Sequence, residues 1–268
     1  MNIIQIKNLS FKYKDDFVFY RLNFNIKKGE WVSVVGPSSC GKTTLMKLLT
    51  GLLFNDSEII IDNIRLTKEK INLIRQKIGV VFEDVNNQLI TETVRGELAF
   101  ALENLKIKST QINSRINDIA EKFNIVHLLD SDPHRLSGGE KQKVALASVL
   151  ITNPKILILD QAFSMIDPIE CEEILEQLKE IHQNKNLTII NLTHNLEETF
   201  LGDKIVVIHK GDILIQGKTK EMLLEDKVFN RIGIEIPFIV DFSIKLKLYG
   251  LIDSIILDMN KLVNVLWK

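Results

Sequence analysis

The chain of 268 residues has only two cysteines, Cys40 and Cys171, too few for a disulfide framework. No uninterrupted apolar run reaches the roughly eighteen residues that a membrane helix requires, so no span is expected. Neither sign of charge dominates: 34 basic and 35 acidic residues leave a formal net charge of −1. That balance gives no ground for wrapping nucleic acid or lying on anionic lipid. The start, MNIIQIKNLSFKYKDD, lacks the apolar core and cleavage site of a secretory leader, and a cytoplasmic protein is expected. Internal repeats and low-complexity linkers are missing too. What remains is an ordinary soluble composition, 45% hydrophobic and 26% charged, long enough to bury a core without staples.

Short β-branched runs alternate with longer helical patterns, which predicts an α/β architecture. Strands are expected at Ile3–Lys7, Trp31–Val35, Glu58–Ile61, Val80–Phe82, Lys155–Asp160, Thr188–Thr193, Lys204–His209 and Ile213–Gly217. KILILD and LTIINLT are apolar on both faces, as buried parallel strands are. HKGDILIQG reads as a hairpin around Lys210-Gly211-Asp212. Between Glu92 and Thr152 the spacing turns helical, which predicts a helical insert spanning about 88–153. After Lys218, KTKEMLLED predicts another helix, and RIGIEIPFIVDFSIKLKLYGL is too apolar for a loose terminus. It is expected to pack on the core or on a second subunit.

Gly36-Pro37-Ser38-Ser39-Cys40-Gly41-Lys42-Thr43 matches G-x-x-x-x-G-K-S/T between a strand and a helix. The glycines let the backbone turn so that successive N–H groups, on to Thr44, face a polyphosphate, and the helix start adds its positive dipole end. Lys42 is expected to reach the β- and γ-phosphates and the Thr43 hydroxyl to ligate Mg²⁺. The bland alternative is a glycine-rich turn that matches by accident, and its strand and helix context counts against it.

A second stretch, HRLSGGEKQKVALASVL, carries Leu136-Ser137-Gly138-Gly139-Glu140 about twenty residues before an apolar strand ending in Asp160. On its own, a Ser followed by a Glu at a helix start is a capping device. In this order along the chain it resembles the L-S-G-G-Q signature of ATP-binding-cassette (ABC) ATPases. That resemblance implies a P-loop NTPase fold with a parallel-sheet core, an antiparallel β subdomain and a helical subdomain. Tyr13 then matches the aromatic that stacks on adenine, and Asp160 the aspartate that holds Mg²⁺. Ser164-Met165-Ile166-Asp167 resembles the loop that runs between two subunits, and His194 matches the histidine that contacts the γ-phosphate. The resemblance implies that Ser137, Gly138 and Gly139 close over the nucleotide of a partner.

FEDVNNQLITETVRGELAFALEN and RIGIEIPF narrow the likeness to energy-coupling-factor (ECF) transporter ATPases, in particular the first ATPase of a heterodimeric pair. The family implies an ATPase domain over 1–218 and a C-terminal extension over 219–268 that contributes to a dimer contact. It also implies a second ATPase, a transmembrane T-subunit and exchangeable S-subunits, together importing vitamins or metal ions. The chain would then lie at the cytoplasmic face of the membrane through its partners alone, with ATP and Mg²⁺ as its ligands.

Three positions depart from the family. Gln161 stands where a glutamate normally follows Asp160, Glu83 stands where the Q-loop carries glutamine, and Val85-Asn86-Asn87-Gln88 replaces x-P-D-x-Q. An amide holds a water but does not take its proton, so a slow site is expected. Three readings of Gln161 with Glu83 stay open: Glu83 supplies the missing carboxylate and shares the metal, the site has drifted and is kept for binding, or Gln161 is an engineered trap. The rivals at the level of the whole chain are a homodimeric cobalt or nickel importer ATPase, a soluble ABC protein acting on ribosomes or DNA, and a regulatory ATP-binding subunit.

Overall fold

ILILD and TIINLT offer no polar face to solvent, and both become fully buried strands of one sheet. The computed structural model describes residues 1–267, the side chain of Lys185 excepted. Lys268, the last residue of the expected extension, lies outside the described residues. The strands are β1 (Asn2–Tyr13), β2 (Asp16–Lys27), β3 (Trp31–Val35), β4 (Glu58–Ile61), β5 (Ile64–Arg65), β6 (Ile78–Val81), β7 (Ile156–Asp160), β8 (Thr188–Thr193), β9 (Lys204–His209) and β10 (Asp212–Lys218). The helices are α1 (Lys42–Leu49), α2 (Ile71–Arg75), α3 (Val94–Asn104), α4 (Ser109–Lys122), α5 (Gly138–Leu150), α6 (Pro168–Lys185), α7 (Thr219–Met222), α8 (Asp226–Arg231), α9 (Phe238–Leu248) and α10 (Met259–Leu266).

Six strands form the central sheet in the order β10-β9-β3-β8-β7-β6, parallel except for the β9–β10 hairpin at its edge. The other sheet, β2-β1-β4-β5, is antiparallel throughout. One apolar cluster fills the space between the two sheets and α1. Another joins the central sheet to α3, α4, α5 and α6. The fold is α/β, as expected. β2 and β5 are not among the expected strands, β1 runs on to Tyr13 rather than ending at Lys7, and β6 begins two residues early. Among the described residues no helix is long and apolar enough to cross a membrane.

The apolar tail does pack on the core. Phe229, Ile232, Ile234, Val240 and Ile255 bury against Val35, Leu196, Ile205 and Val207 of the β3–β9 flank. Its outer face nevertheless leaves Phe238, Tyr249 and Trp267 exposed.

One ion-pair knot ties the two sheets. Asp62 and Asn63 both take positive φ (47° and 63°) in the two-residue β4–β5 turn, the geometry such tight hairpins need. The Asp62 carboxylate then accepts from Lys77, just before β6, and from Lys155 at 2.8 Å, just before β7. Partial burial works to raise its pKa, but the hydrogen bonds from Lys155 and then Lys77 outweigh it, so the pKa falls below the ordinary 3.8. A depressed carboxylate contributes stability above its unfolded pKa that is lost as pH falls through the folded value. Asp62→Asn is therefore expected to cost about 1–2 kcal/mol at neutral pH, between the exposed and the buried ion-pair ranges. Thermal melts should show the deficit shrinking below about pH 4.

Candidate functional site

Four parallel strands end at the same edge of the central sheet and lead into the groups of the site. β3 leads into Gly36, β6 into Glu83, β7 ends in Asp160 followed by Gln161, and β8 is followed by His194. The carboxyl ends of strands in an open α/β sheet are where ligands bind.

The loop from Gly36 to Thr43 is shaped by two glycines. A Cβ on Gly36 would sit 2.3 Å from the Ile208 carbonyl oxygen, where no side chain fits. Gly41 caps α1 with φ +110°, and a Cβ there would meet the Phe19 ring at 2.7 Å. The N–H of Leu45 closes the first helical bond onto Gly41 O at 2.8 Å, which leaves the amides of the preceding turn at the open end of α1. Cys40 is an exception to the expected cradle of amides, because its N–H turns inward to Pro37 O at 3.4 Å.

Lys42 is 5% exposed and pairs with no carboxylate among the described residues. Its Nζ donates instead to Gly36 O at 2.6 Å and Pro37 O at 3.0 Å, with the Cys40 sulfur at 3.8 Å. A buried cation held by neutral dipoles alone is ready for an anion. Above it lies a cleft of about 330 Å³ lined by Tyr13, Val18, Ser38, Ser39, Gly41, Lys42, Thr43, Thr44 and Gln161. Tyr13 stands edge-on to Phe11 and is 46% exposed, so it forms the rim of the cleft and not part of the core.

Thr43 Oγ1 donates to Asp160 Oδ1 at 3.3 Å. Burial pushes the Asp160 pKa up; the Thr43 hydrogen bond opposes this, and the Glu83 charge adds to it. Hydroxyl and carboxylate oxygens suit a hard cation such as Mg²⁺, which would relieve that burden. Among the described residues no group of three His, Cys, Asp or Glu makes a metal cage.

Gln161 takes a positive φ of 51°, pinned by its N–H to Leu192 O at 2.9 Å. That turn aims its amide into a chain of three side chains. Gln161 Nε2 donates to Glu83 Oε2 at 2.7 Å, and Gln161 Oε1 lies 3.1 Å from His194 Nδ1. An ionised carboxylate only accepts, so the NH₂ end must face Glu83; His194 Nδ1–H is then the donor to the amide oxygen. Both ends of the amide are engaged.

Ser137, Gly138 and Gly139 are not part of this cleft; they begin α5. Ser137 is its N-cap in a capping box with Glu140, whose carboxylate accepts from Ser137 N at 2.9 Å and Ser137 Oγ at 2.8 Å. Those two hydrogen bonds, the backbone one first, hold the Glu140 pKa below its usual range. Gly139 lies against the Glu170 carboxylate, which pairs with Lys143 at 2.6 Å. Missing from the sequence reading are Val18 and Phe19, which wall the phosphate loop from the unforeseen β2, and Lys141, whose Nζ donates to Asn86 Oδ1 at 2.9 Å. In the 85–88 segment, Gln88 is pinned to the backbone at Phe82 N (3.2 Å) and Val80 O (3.3 Å).

Residues 19–164 match the family model described as ABC transporter. The chain is 38% identical to the energy-coupling factor transporter ATP-binding protein EcfA1 of Streptococcus thermophilus, over 99% of this chain and 98% of that one. Among solved structures, cbiO1 from Clostridium perfringens, part of the ABC transporter complex cbiONQ, superposes with TM-score 0.78 at 32% identity, covering 90% of this chain and 98% of that one. A dimer of the ATP-binding cassette MJ0796 in a post-hydrolysis state with ADP and Pi superposes with TM-score 0.73 at 27% identity, covering 81% and 98%. A buried unpaired lysine under a glycine loop, a buried aspartate beside it and these likenesses converge: the chain is an ATPase of the ABC transporter family and belongs to its energy-coupling-factor ATP-binding proteins.

Proposed function

We propose that this chain binds Mg-ATP in the cleft between Tyr13 and the Gly36–Thr44 loop and works as one half of an asymmetric pair of ATPases that drives an ECF-type importer. The observation that carries the reading is Lys42, buried at the floor of the cleft with two carbonyls and a thiol as partners and no carboxylate among the described residues. The adenine ring stacks on the exposed Tyr13, the loop amides and α1 receive the phosphates, and Lys42 bridges the β- and γ-phosphates. Thr43 and Asp160 would hold Mg²⁺, which when bound would neutralise charge on the phosphate oxygens. His194 reaches the γ-phosphate, and Gln161 stands where a stronger acceptor would speed the reaction, so this site turns over slowly.

Ser137, Gly138 and Gly139 lie outside the chain's own cleft, as residues that close over a partner's nucleotide should. The MJ0796 cassette is dimeric in its post-hydrolysis state with ADP and Pi. The ATPase domain over 1–218, with its helical subdomain at about 88–153, makes that pairing; the extension from 219 supports it through exposed Phe238, Tyr249 and Trp267. In the assembly the second cassette is an ECF ATPase, a transmembrane T-subunit rests on the 85–88 segment, and S-subunits select vitamins or metal ions. The cytoplasmic membrane face is reached through those partners alone.

Affinity capture of the full chain from its own cells tests this. A second cassette and membrane subunits should be recovered, and the pure chain should hydrolyse ATP at least tenfold more slowly per site than the recovered complex. Recovery of ribosomes or DNA, or turnover by the pure chain equal to that of the complex, contradicts it.

A further inference from the structure

The departure at Gln161 and the departure at Glu83 meet in one hydrogen bond. Gln161 Nε2 to Glu83 Oε2, at 2.7 Å, joins the loop after β7 to the loop after β6. The oxygen of the same amide is already engaged by His194 at 3.1 Å, so only one of its lone pairs remains and Gln161 presents no wholly free acceptor oxygen to a water. Glu83 does: its Oε1 has no hydrogen-bond partner among the described residues, and the carboxylate is close enough to Asp160 for its charge to be felt there. The edge of the site thus keeps one carboxylate and one amide, with their positions exchanged.

Resting on the ATP site proposed above, we infer that Glu83, clamped through Oε2 by Gln161, orients the attacking water with its Oε1, and that Gln161 acts as the clamp. The water oxygen bonds to the γ-phosphorus as the bond to the bridging oxygen breaks. That electron pair leaves on ADP, and the water proton passes to an oxygen of the departing phosphate. Glu83 finishes as it began, so its part is to hold the nucleophile in line. Gln161 is a positioning residue, since it acts through Glu83.

Reciprocal substitution tests the exchange in the purified full-length chain. Glu83→Gln removes a negative charge beside the triphosphate, so ATP affinity measured without divalent cation should be undiminished. Its turnover should fall at least tenfold, and with Mg-ATP it should accumulate a longer-lived paired species in light scattering. The double variant Glu83→Gln with Gln161→Glu puts the carboxylate back at 161 and should restore turnover to the parent level or above, an effect that a merely structural role for Glu83 would not produce. Unchanged turnover in Glu83→Gln overturns the inference, as does a parent with no turnover above background. So does a double variant that binds ATP and stays as slow as the single one. Loss of ATP binding by the parent would instead overturn the nucleotide site itself.

Discussion

Lys42→Ala is expected to weaken ATP binding by roughly 30- to 700-fold. The lysine is buried, so its charge is little screened by water, and in the described structure it spends its hydrogen bonds on Gly36 O and Pro37 O. Those carbonyls are weak partners for an ammonium, and a triphosphate is a far better one. Removing one member of a buried, hydrogen-bonded charge pair costs about 2–4 kcal/mol, and each 1.4 kcal/mol is tenfold in affinity. Titration calorimetry with ATP measures the effect, and a melting curve close to the parent's shows that the variant has folded. An affinity within threefold of the parent would mean that the phosphates bind elsewhere.

The second large effect concerns stability and lies just behind the site. Glu198 follows His194 by four residues, is 6% exposed, and accepts from Asn191 Nδ2 at 3.3 Å. Burial pushes its pKa up from 4.5 to about 7, against the pull of hydrogen bonds from Thr193 and Asn191. Cys171 of α6 feels the same environment: burial first, then the Glu198 charge, push its thiol to about 12. For a carboxylate raised in the folded state, the native protein binds the extra proton between the two values. Stability is therefore highest below about pH 4.5 and declines as pH rises to about 7. Glu198→Gln keeps the shape and the acceptor oxygen and loses the charge. At pH 8 the variant is expected to be more stable than the parent by up to roughly 3 kcal/mol, from 1.36 kcal/mol per pKa unit. Near pH 4, below the ordinary carboxylate value of 4.5, that gain should nearly vanish. Denaturant melts at the two pH values decide it: a gain independent of pH would show that Glu198 is ionised at no cost.

The parts of the molecule legible in the sequence are those with a local chemical reason. Buried parallel strands such as β7 and β8 show no polar face, and a phosphate loop needs its glycines at fixed spacing whatever surrounds it. β2 escaped because its pattern is mixed. Phe19, Leu22, Phe24 and Ile26 point inward, while Phe17 and Tyr20 are aromatic and exposed. The four apolar residues from Phe17 to Tyr20 hide the alternation. With β2 went the wall behind Gly41, which no local rule connects to residue 19. The Asp62 knot and the Glu198 pocket were out of reach for a similar reason: their partners are brought together by the sheet and not by spacing. The departures at 83 and 161 were visible as residue types. That they touch, and that His194 completes the chain, is a fact of strand order.

The claim on which the rest stands is that ATP lies on this chain's own phosphate loop and beneath another cassette's signature. Electron cryo-microscopy of the captured complex, frozen with ATP and no divalent cation to stop hydrolysis, reads this directly. The account predicts triphosphate density within hydrogen-bond distance of Lys42 Nζ and the loop amides, with the partner's signature on its far side and this chain's Ser137 over the partner's nucleotide. Nucleotide contacted by one chain alone, or density away from Lys42, would contradict it.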